Sequence, residues 1–272
     1  MFQSAGTARW AYNWTLARQE ENYKNGGKFI SNFDLRKDLT QLKKTEELKW
    51  LNGVSWYVSV GIEIEKPEIE LTGESIGIDV GVKDLAICSN IEKPYKNINK
   101  TKKIKKLEKK MRRLQRKVSK KYLKNKKGVS YVKTSNIIKL ERNIKKLHKR
   151  LDNIRTDYRH KTTTEIVKTK PSRIVVESLN IKGMMKNRHL SKAIAQQGLF
   201  EFKTMIQYKS NKYGIEFVEV DKWYPSSKTC SECGHLKTKL LLSERVFECE
   251  CCGAIIDRDK NASINLSRYK AS

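Results

Sequence analysis

Four cysteines in two C-x2-C pairs constrain this chain more than any other feature: Cys230 with Cys233, then Cys249 with Cys252. Each pair can turn back on itself and present two thiolates to one ion. The 15 residues between the pairs are enough for a short hairpin and few enough to close a tetrahedral site. Gly234 and Gly253 each follow the second cysteine of a pair, where a knuckle needs permissive backbone. The pattern predicts a four-cysteine zinc ribbon over residues 225–256. Four thiolates leave no open coordination position, so the zinc is expected to be structural. Cys251, inside the second knuckle, is a competing ligand; the 249/252 pairing is preferred because it reproduces the x2 spacing. Cys88 reads as a buried apolar strand residue. Six cysteines with four in metal spacing argue against a disulfide framework. With no leader-like or long apolar run, the sequence points to a reducing, cytoplasmic setting and to no membrane partner.

The charge is as uneven as the cysteines. The 272 residues carry 58 Lys and Arg against 30 Asp and Glu, a net of +28. Residues 101–161 alone hold 25 Lys and Arg against 4 Asp and Glu, a local excess of 21. A polyanion is the natural partner, because each neutralised phosphate releases counterions. The basic helices lack the wide Trp/Phe/Leu face that a lipid surface requires.

Periodicity places these features on elements. Residues 5–24 and 33–46 read as helices around a GGK turn, and 55–65 as a strand ended by Pro67. Residues 74–90 read as a β-hairpin turning at Gly81, with strands Ser75 to Val80 and Asp84 to Ser89. In the basic stretch, Ile104, Leu107, Met111, Leu114 and Val118 recur at three- and four-residue spacing. Beyond a Gly/Ser break near 128–130, Leu140, Ile144, Leu147, Leu151, Ile154 and Tyr158 repeat the pattern. Two long helices with narrow apolar seams predict an antiparallel helical hairpin, Lys and Arg outward. Then come a strand at 172–177, an amphipathic helix at about 192–213, a strand at 214–220, the ribbon, and a closing helix in NASINLSRY. Strands alternating with helices indicate a mixed α/β core.

Three acids stand where they can form a site. Asp79 lies between Ile78 and Val80, Glu177 ends the strand IVVE, and Asp259 opens the helix after the ribbon. A single acid in an apolar strand is unusual, because burying an unpaired carboxylate is costly. Carboxylate oxygens suit Mg²⁺ or Mn²⁺, and two such ions can clamp a scissile phosphate.

IGIDVGVKDLA, IVVESLNIKGM and DRDKNASINL resemble the three split motifs of a RuvC-type nuclease of the RNase H fold. With SSKTCSECG and CECCG between the second and third motifs, the chain resembles the TnpB family, transposon-encoded RNA-guided DNA nucleases related to type V CRISPR effectors. The resemblance covers most of residues 55–267. It implies an RNase H-like (RuvC) α/β core with an inserted helical hairpin at 101–161 and a zinc ribbon at 225–256, within a nuclease domain spanning 73–272. It implies that Asp79, Glu177 and Asp259 hold catalytic Mg²⁺ or Mn²⁺, with Asp259 preferred to its neighbour Asp257 because it occupies the D-x-N-A position. It implies guide RNA and target DNA as partners. The ribbon, with Lys228, is expected to act as a target-strand loading element.

By the same resemblance, residues 1–54 form a partial helical recognition segment, and 55–72 a remnant wedge strand and linker. Leu51 leads almost directly into that strand, where the family places more helix and most of a β-barrel. Alongside the endonuclease, two other readings therefore stand: a non-cleaving nucleic-acid-binding remnant or regulator, and a strand-transfer transposase.

Overall fold

The computed structural model of the chain describes residues 48–51, 55–58, 69–241 and 243–270. The helices expected at 5–24 and 33–46 lie outside the described residues. Contacts divide the chain into two compact units, one spanning Lys66–Arg112 and Arg150–Ser272, the other Met1–Glu65 and Arg113–Lys149.

The first unit is built on a five-stranded sheet. Its strands are β3 (Thr72–Val80), β4 (Asp84–Cys88), β5 (Tyr95–Lys96), β8 (Pro171–Glu177) and β9 (Glu216–Val220), in the spatial order β5-β4-β3-β8-β9. β3, β4 and β5 pair antiparallel, and β8 and β9 add parallel to β3. The expected hairpin at 74–90 is β3 and β4, joined at Gly81. Parallel strands need a long crossover between them. The helical hairpin supplies it from β5 to β8, and helices α3 (Ile181–Met185), α4 (Ser191–Gln197) and α5 (Leu199–Tyr213) supply it from β8 to β9. This mixed sheet is the RNase H-like core that the motifs implied.

Alternation decides the two faces of the sheet. Ile76, Ile78 and Val80 of β3 join Ile174 and Val176 of β8 in the main core, with Ile166, Phe202 and Ile206. Val175 points the other way and packs with Val220 and Leu266. Leu266 belongs to α6 (Arg258–Ser267), the expected closing helix. β8 is thus buried on both faces, which explains its unbroken apolar run.

α6 comes so close to β3 that Gly77 must lack a side chain. A Cβ there would fall inside contact distance of the Ser263 carbonyl and the Ser267 amide, and 2.8 Å from Leu266 Cβ. Because backbone atoms cannot yield cheaply, Gly77→Ala is expected to destabilise the chain by about 3 kcal/mol. Urea unfolding measures this; an unchanged midpoint would refute the close packing.

The amphipathic helix expected at 192–213 is two helices. Gly198 separates α4 from α5 at φ 66, and its missing Cβ leaves room for the Arg159 guanidinium, 2.8 Å from where that atom would sit. A left-handed residue cannot continue an α-helix, so the apolar periodicity ran through a real break.

The hairpin helices are α1 (Lys102–Lys124) and α2 (Ser135–Lys168), and Gly128 turns between the short strands β6 (Lys126–Lys127) and β7 (Ser130–Tyr131). Ile104, Val118, Leu147 and Leu151 of the predicted seams are buried, as is Ile137. Near the tip, Glu141 accepts 2.7 Å hydrogen bonds from Tyr122 and Lys133. In the same unit, β1 (Leu48–Leu51) pairs antiparallel with β2 (Ser55–Val58). β2 is the beginning of the strand expected at 55–65, whose remainder lies outside the described residues; β1 carried no strand signal.

Candidate active site and metal centre

Strand period and register assemble the acids. Ile78 pairs with Val176 in the parallel β3–β8 ladder, so the next residues on each strand, Asp79 and Glu177, stand side by side. Neighbouring strands are about 4.8 Å apart. Gly77 and Val175 face α6, and two residues further along each strand the same face carries Asp79 and Glu177. Both acids lie at carboxyl ends of neighbouring parallel strands, where open α/β sheets bind ligands. α6 begins over that edge, with Asp259 in its first turn.

The Asp79 carboxyl feels both its burial and the neighbouring acids. Burial pushes the Asp79 carboxyl up to about 8, and Asp259 and Glu177 push in the same direction, against the Arg258 guanidinium. Glu177 is also raised by burial, opposed by the Ser226 hydroxyl, which donates to it at 3.5 Å. Asp259 accepts from Arg258 Nε at 3.3 Å and Nη2 at 3.2 Å, with Arg245 at 3.9 Å. Asp257 is otherwise engaged. It is the N-cap of α6, accepting from the amides of Asp259 and Lys260 at 3.1 Å each. It adds only a weaker push on Asp79.

The four predicted zinc cysteines meet. Cys230, Cys233, Cys249 and Cys252 bring their sulfurs within 4.8 Å of one another; Cys251 is exposed and outside the group. Cys230 and Cys252 sulfurs are 3.7 Å apart, and those of Cys233 and Cys249 3.5 Å. A tetrahedron with Zn–S of ~2.3 Å needs sulfurs about 3.8 Å apart, so the residues fit the ion. The amides of Cys252 and Cys251 donate to the Cys249 sulfur and pull its thiol down to about 6, toward the thiolate a metal needs. Gly234 and Gly253 take φ 75 and 72, as the knuckles require. Strands β10 (Val246–Glu248) and β11 (Ile255–Asp257) form the ribbon hairpin. Cys88 is buried, and burial lifts its thiol to about 12. Among the described residues the cysteines are the metal-ligand group that closes around one point; the carboxylates stand in a more open arrangement.

Several residues joining these two centres escaped the sequence reading. Asn261, fully buried, accepts from the Ser231 amide at 2.8 Å and donates to the Thr229 carbonyl at 2.7 Å. Asn265 donates to the Ser226 and Thr229 carbonyls at 2.8 and 2.6 Å. The helix carrying Asp259 thus grips the first knuckle and the segment holding Ser226. The signal was present: Asn261 and Asn265 share a helix face at i, i+4, with polar side chains aimed into a packed region. Lys260 donates to the carbonyls of Cys88, Ser89 and Ile91 at 3.0, 2.8 and 2.9 Å, fixing α6 against the end of β4.

The hairpin carries the basic surface. Its Lys and Arg side chains lie largely exposed along α1 and α2, while Arg155 and Gln196 both hold the Glu108 carboxylate, at 3.0 and 2.8 Å, near the hairpin base. Among the described residues no helix is long and apolar enough to cross a membrane.

Family models match three stretches of the chain. A family model described as "Probable transposase" matches residues 59–188, one described as "Cas12f1-like, TNB domain" matches 200–266, and one described as "Helix-turn-helix domain" matches 1–28. A Streptomyces pristinaespiralis protein named "Putative RNA-guided DNA endonuclease" is 34% identical over 78% of this chain and 49% of its own length. The TnpB-like protein L79 of Acanthamoeba polyphaga mimivirus is 28% identical over 93% of this chain and 50% of its own. The chain therefore spans about half the length of the curated relatives it matches. A cryo-EM structure of a CRISPR-Cas12f ternary complex shares the fold, with a TM-score of 0.52 at 22% identity over 89% of this chain and 50% of that one.

Proposed function

The chain belongs to the TnpB family, and on that premise we propose that it is an RNA-guided, metal-dependent DNA endonuclease associated with a transposon. The observation that carries the reading is the convergence of Asp79, Glu177 and Asp259 on one sheet edge, where burial raises the Asp79 carboxyl and the other two carboxylates add to the shift. Such an all-carboxylate set suits hard cations, Mg²⁺ or Mn²⁺. These would supply Lewis-acid polarisation of a phosphoryl oxygen and a deprotonated water at neutral pH.

The chain's own residues do the rest. Asp79, Glu177 and Asp259 provide the metal-binding oxygens. Ser226 orients Glu177, and Arg258 steadies Asp259 while offsetting part of the negative charge. The zinc of the four-cysteine ribbon keeps α6 and the 226–231 segment in register and takes no part in bond breaking. The hairpin at 101–161 neutralises phosphates of the guide RNA and target DNA. The domain divisions read from the sequence, including the remnant wedge at 55–72, belong to the same proposal, as does a cytoplasmic setting.

The test is cleavage of a duplex by the purified full chain with its co-purified RNA. Cutting is expected only with Mg²⁺ or Mn²⁺ and only in DNA complementary to that RNA. Cutting that ignores the RNA sequence refutes guidance. Tight RNA binding with no cutting supports the non-cleaving reading instead, and joining of DNA ends supports a transposase.

A further inference from the structure

Residues 221–226, which lead from β9 into the ribbon, make a loop that begins and ends beside Glu177. Val220 is the register partner of Glu177 in the β8–β9 ladder, and Ser226 donates to the Glu177 carboxylate at 3.5 Å. The loop is firmly held. Tyr224 packs edge-on against Tyr269 at 5.1 Å, and its hydroxyl donates to the Asn265 carbonyl at 3.3 Å. Ser226 is buried, with its carbonyl held by Asn265 at 2.8 Å.

In the middle of this pinned loop, Trp223 is 80% exposed. Its amide donates to the Asp221 side chain at 2.8 Å, so the backbone is set while the indole stands in solvent. Lys222 lies 4.9 Å from the ring centroid. Three residues of chain reach about 10 Å at most, so Trp223 lies within that span of either anchor beside Glu177. A large apolar ring on a rigid loop, with the Lys222 cation beside it and a carboxylate centre near its anchors, matches one partner chemistry. Single-stranded nucleic acid presents flat bases for stacking and phosphates for the lysine.

We propose that Trp223 is a stacking platform for a base of the single DNA strand led to the acid centre. The inference rests on the nuclease reading and adds to it a substrate-positioning residue that engages bases. Stacking on an aromatic ring contributes through the base face alone, so the contact tolerates any sequence.

The experiment measures equilibrium binding of the full chain to a single-stranded DNA of about 12 nucleotides, within the site size of such grooves. A matched strand carries abasic positions at its centre. Ca²⁺ replaces Mg²⁺, because it takes the same carboxylate oxygens, and the strand ends are checked for cutting. Trp223→Ala should weaken binding to the base-bearing strand between about fivefold and about 100-fold. It should also erase the preference over the abasic strand, while the salt dependence stays as in the native chain. Trp223→Phe should keep most of the affinity and the preference. Zinc content and melting temperature report whether each variant is folded.

Equal affinity of Trp223→Ala and the native chain overturns the proposal. So does a Trp223→Phe chain as weak as the alanine variant, which would mean loop disturbance rather than stacking. A loss confined to RNA of the same sequence also overturns it, reassigning the platform. Failure of the nuclease reading is separate. A chain that stacks through Trp223 but never cuts sinks the nuclease alone, and one that cuts but ignores Trp223 sinks only this inference.

Discussion

Asp79→Asn removes Mg²⁺-dependent cleavage, with a rate loss of about a thousandfold or more, and at the same time stabilises the cation-free chain at neutral and alkaline pH. The rate loss follows from the position of Asp79 between Glu177 and Asp259. An amide keeps the shape but gives up the charged oxygen that a divalent ion needs, and several kcal/mol of charge stabilisation go with it. The stability gain comes from the burial of Asp79, with the neighbouring carboxylates adding to it. The Asp79 carboxyl is raised from 3.8 to about 8 in the folded chain. Between those values the folded state holds a proton that the unfolded state has released. Stability is therefore full below about pH 4 and falls as pH rises through about 8. The ceiling on that loss is about 6 kcal/mol, and Glu177, raised as well, adds in the same direction.

Denaturant midpoints across pH in Mg²⁺-free buffer, without a chelator that would strip the zinc, measure the slope. The native chain should lose stability from pH 5 to pH 8, Mg²⁺ should restore it, and Asp79→Asn should flatten the curve. A native chain with no slope would mean that the carboxylates are not crowded. Unchanged cleavage in Asp79→Asn would remove this edge of the sheet from the chemistry.

Cys233→Ser, or removal of zinc from the native chain, is expected to unfold the ribbon and to weaken the acid centre through Asp259. The ribbon has almost no core of its own: Cys230, Phe247 and Cys249 are its buried cluster, with Leu240 and Ala254 packed against it. A structural zinc contributes on the order of 10 kcal/mol in a small metal module, far more than three buried side chains supply. Without it the knuckle carrying Thr229 and Ser231 is held only by its hydrogen bonds to α6, chiefly those of Asn261 and Asn265. Metal analysis should find one zinc per chain. After its removal, hydrogen exchange should rise across 228–256 and at the start of α6, while β3 and β8 stay protected. The Mg²⁺ affinity of the acid centre should fall because Asp259 loses its support. A zinc-free chain with unchanged exchange in the ribbon would overturn this account.

The sheet and the four-cysteine cluster were readable in the chain because each writes a short-range pattern. The 75–80 and 172–177 strands alternate or run apolar, and a lone acid in each stands out against that background. The C-x2-C pairs state their own geometry. The break at Gly198 was hidden because apolar spacing on either side stays in phase across one residue, whereas the chain's left-handed turn there makes room for Arg159. The roles of Lys260, Asn261 and Asn265 were hidden for a different reason. Their partners, Cys88 to Ile91 and Ser226 to Ser231, are distant in sequence, and a polar residue on a helix reads as solvated until its carbonyl and amide partners are known.

The sequence by itself therefore determined which residues carry chemistry: four thiols at fixed spacing, a basic hairpin, and acids placed at strand ends. Only the tertiary structure shows how the two acids of the third motif are engaged. Asp257 spends its carboxylate on capping α6, and Asp259, two residues on, faces Asp79 from the first helical turn. The reason is steric as much as electrostatic. α6 can lie close enough to the sheet to bring Asp259 over that edge because Gly77, without a side chain, lets the two backbones meet.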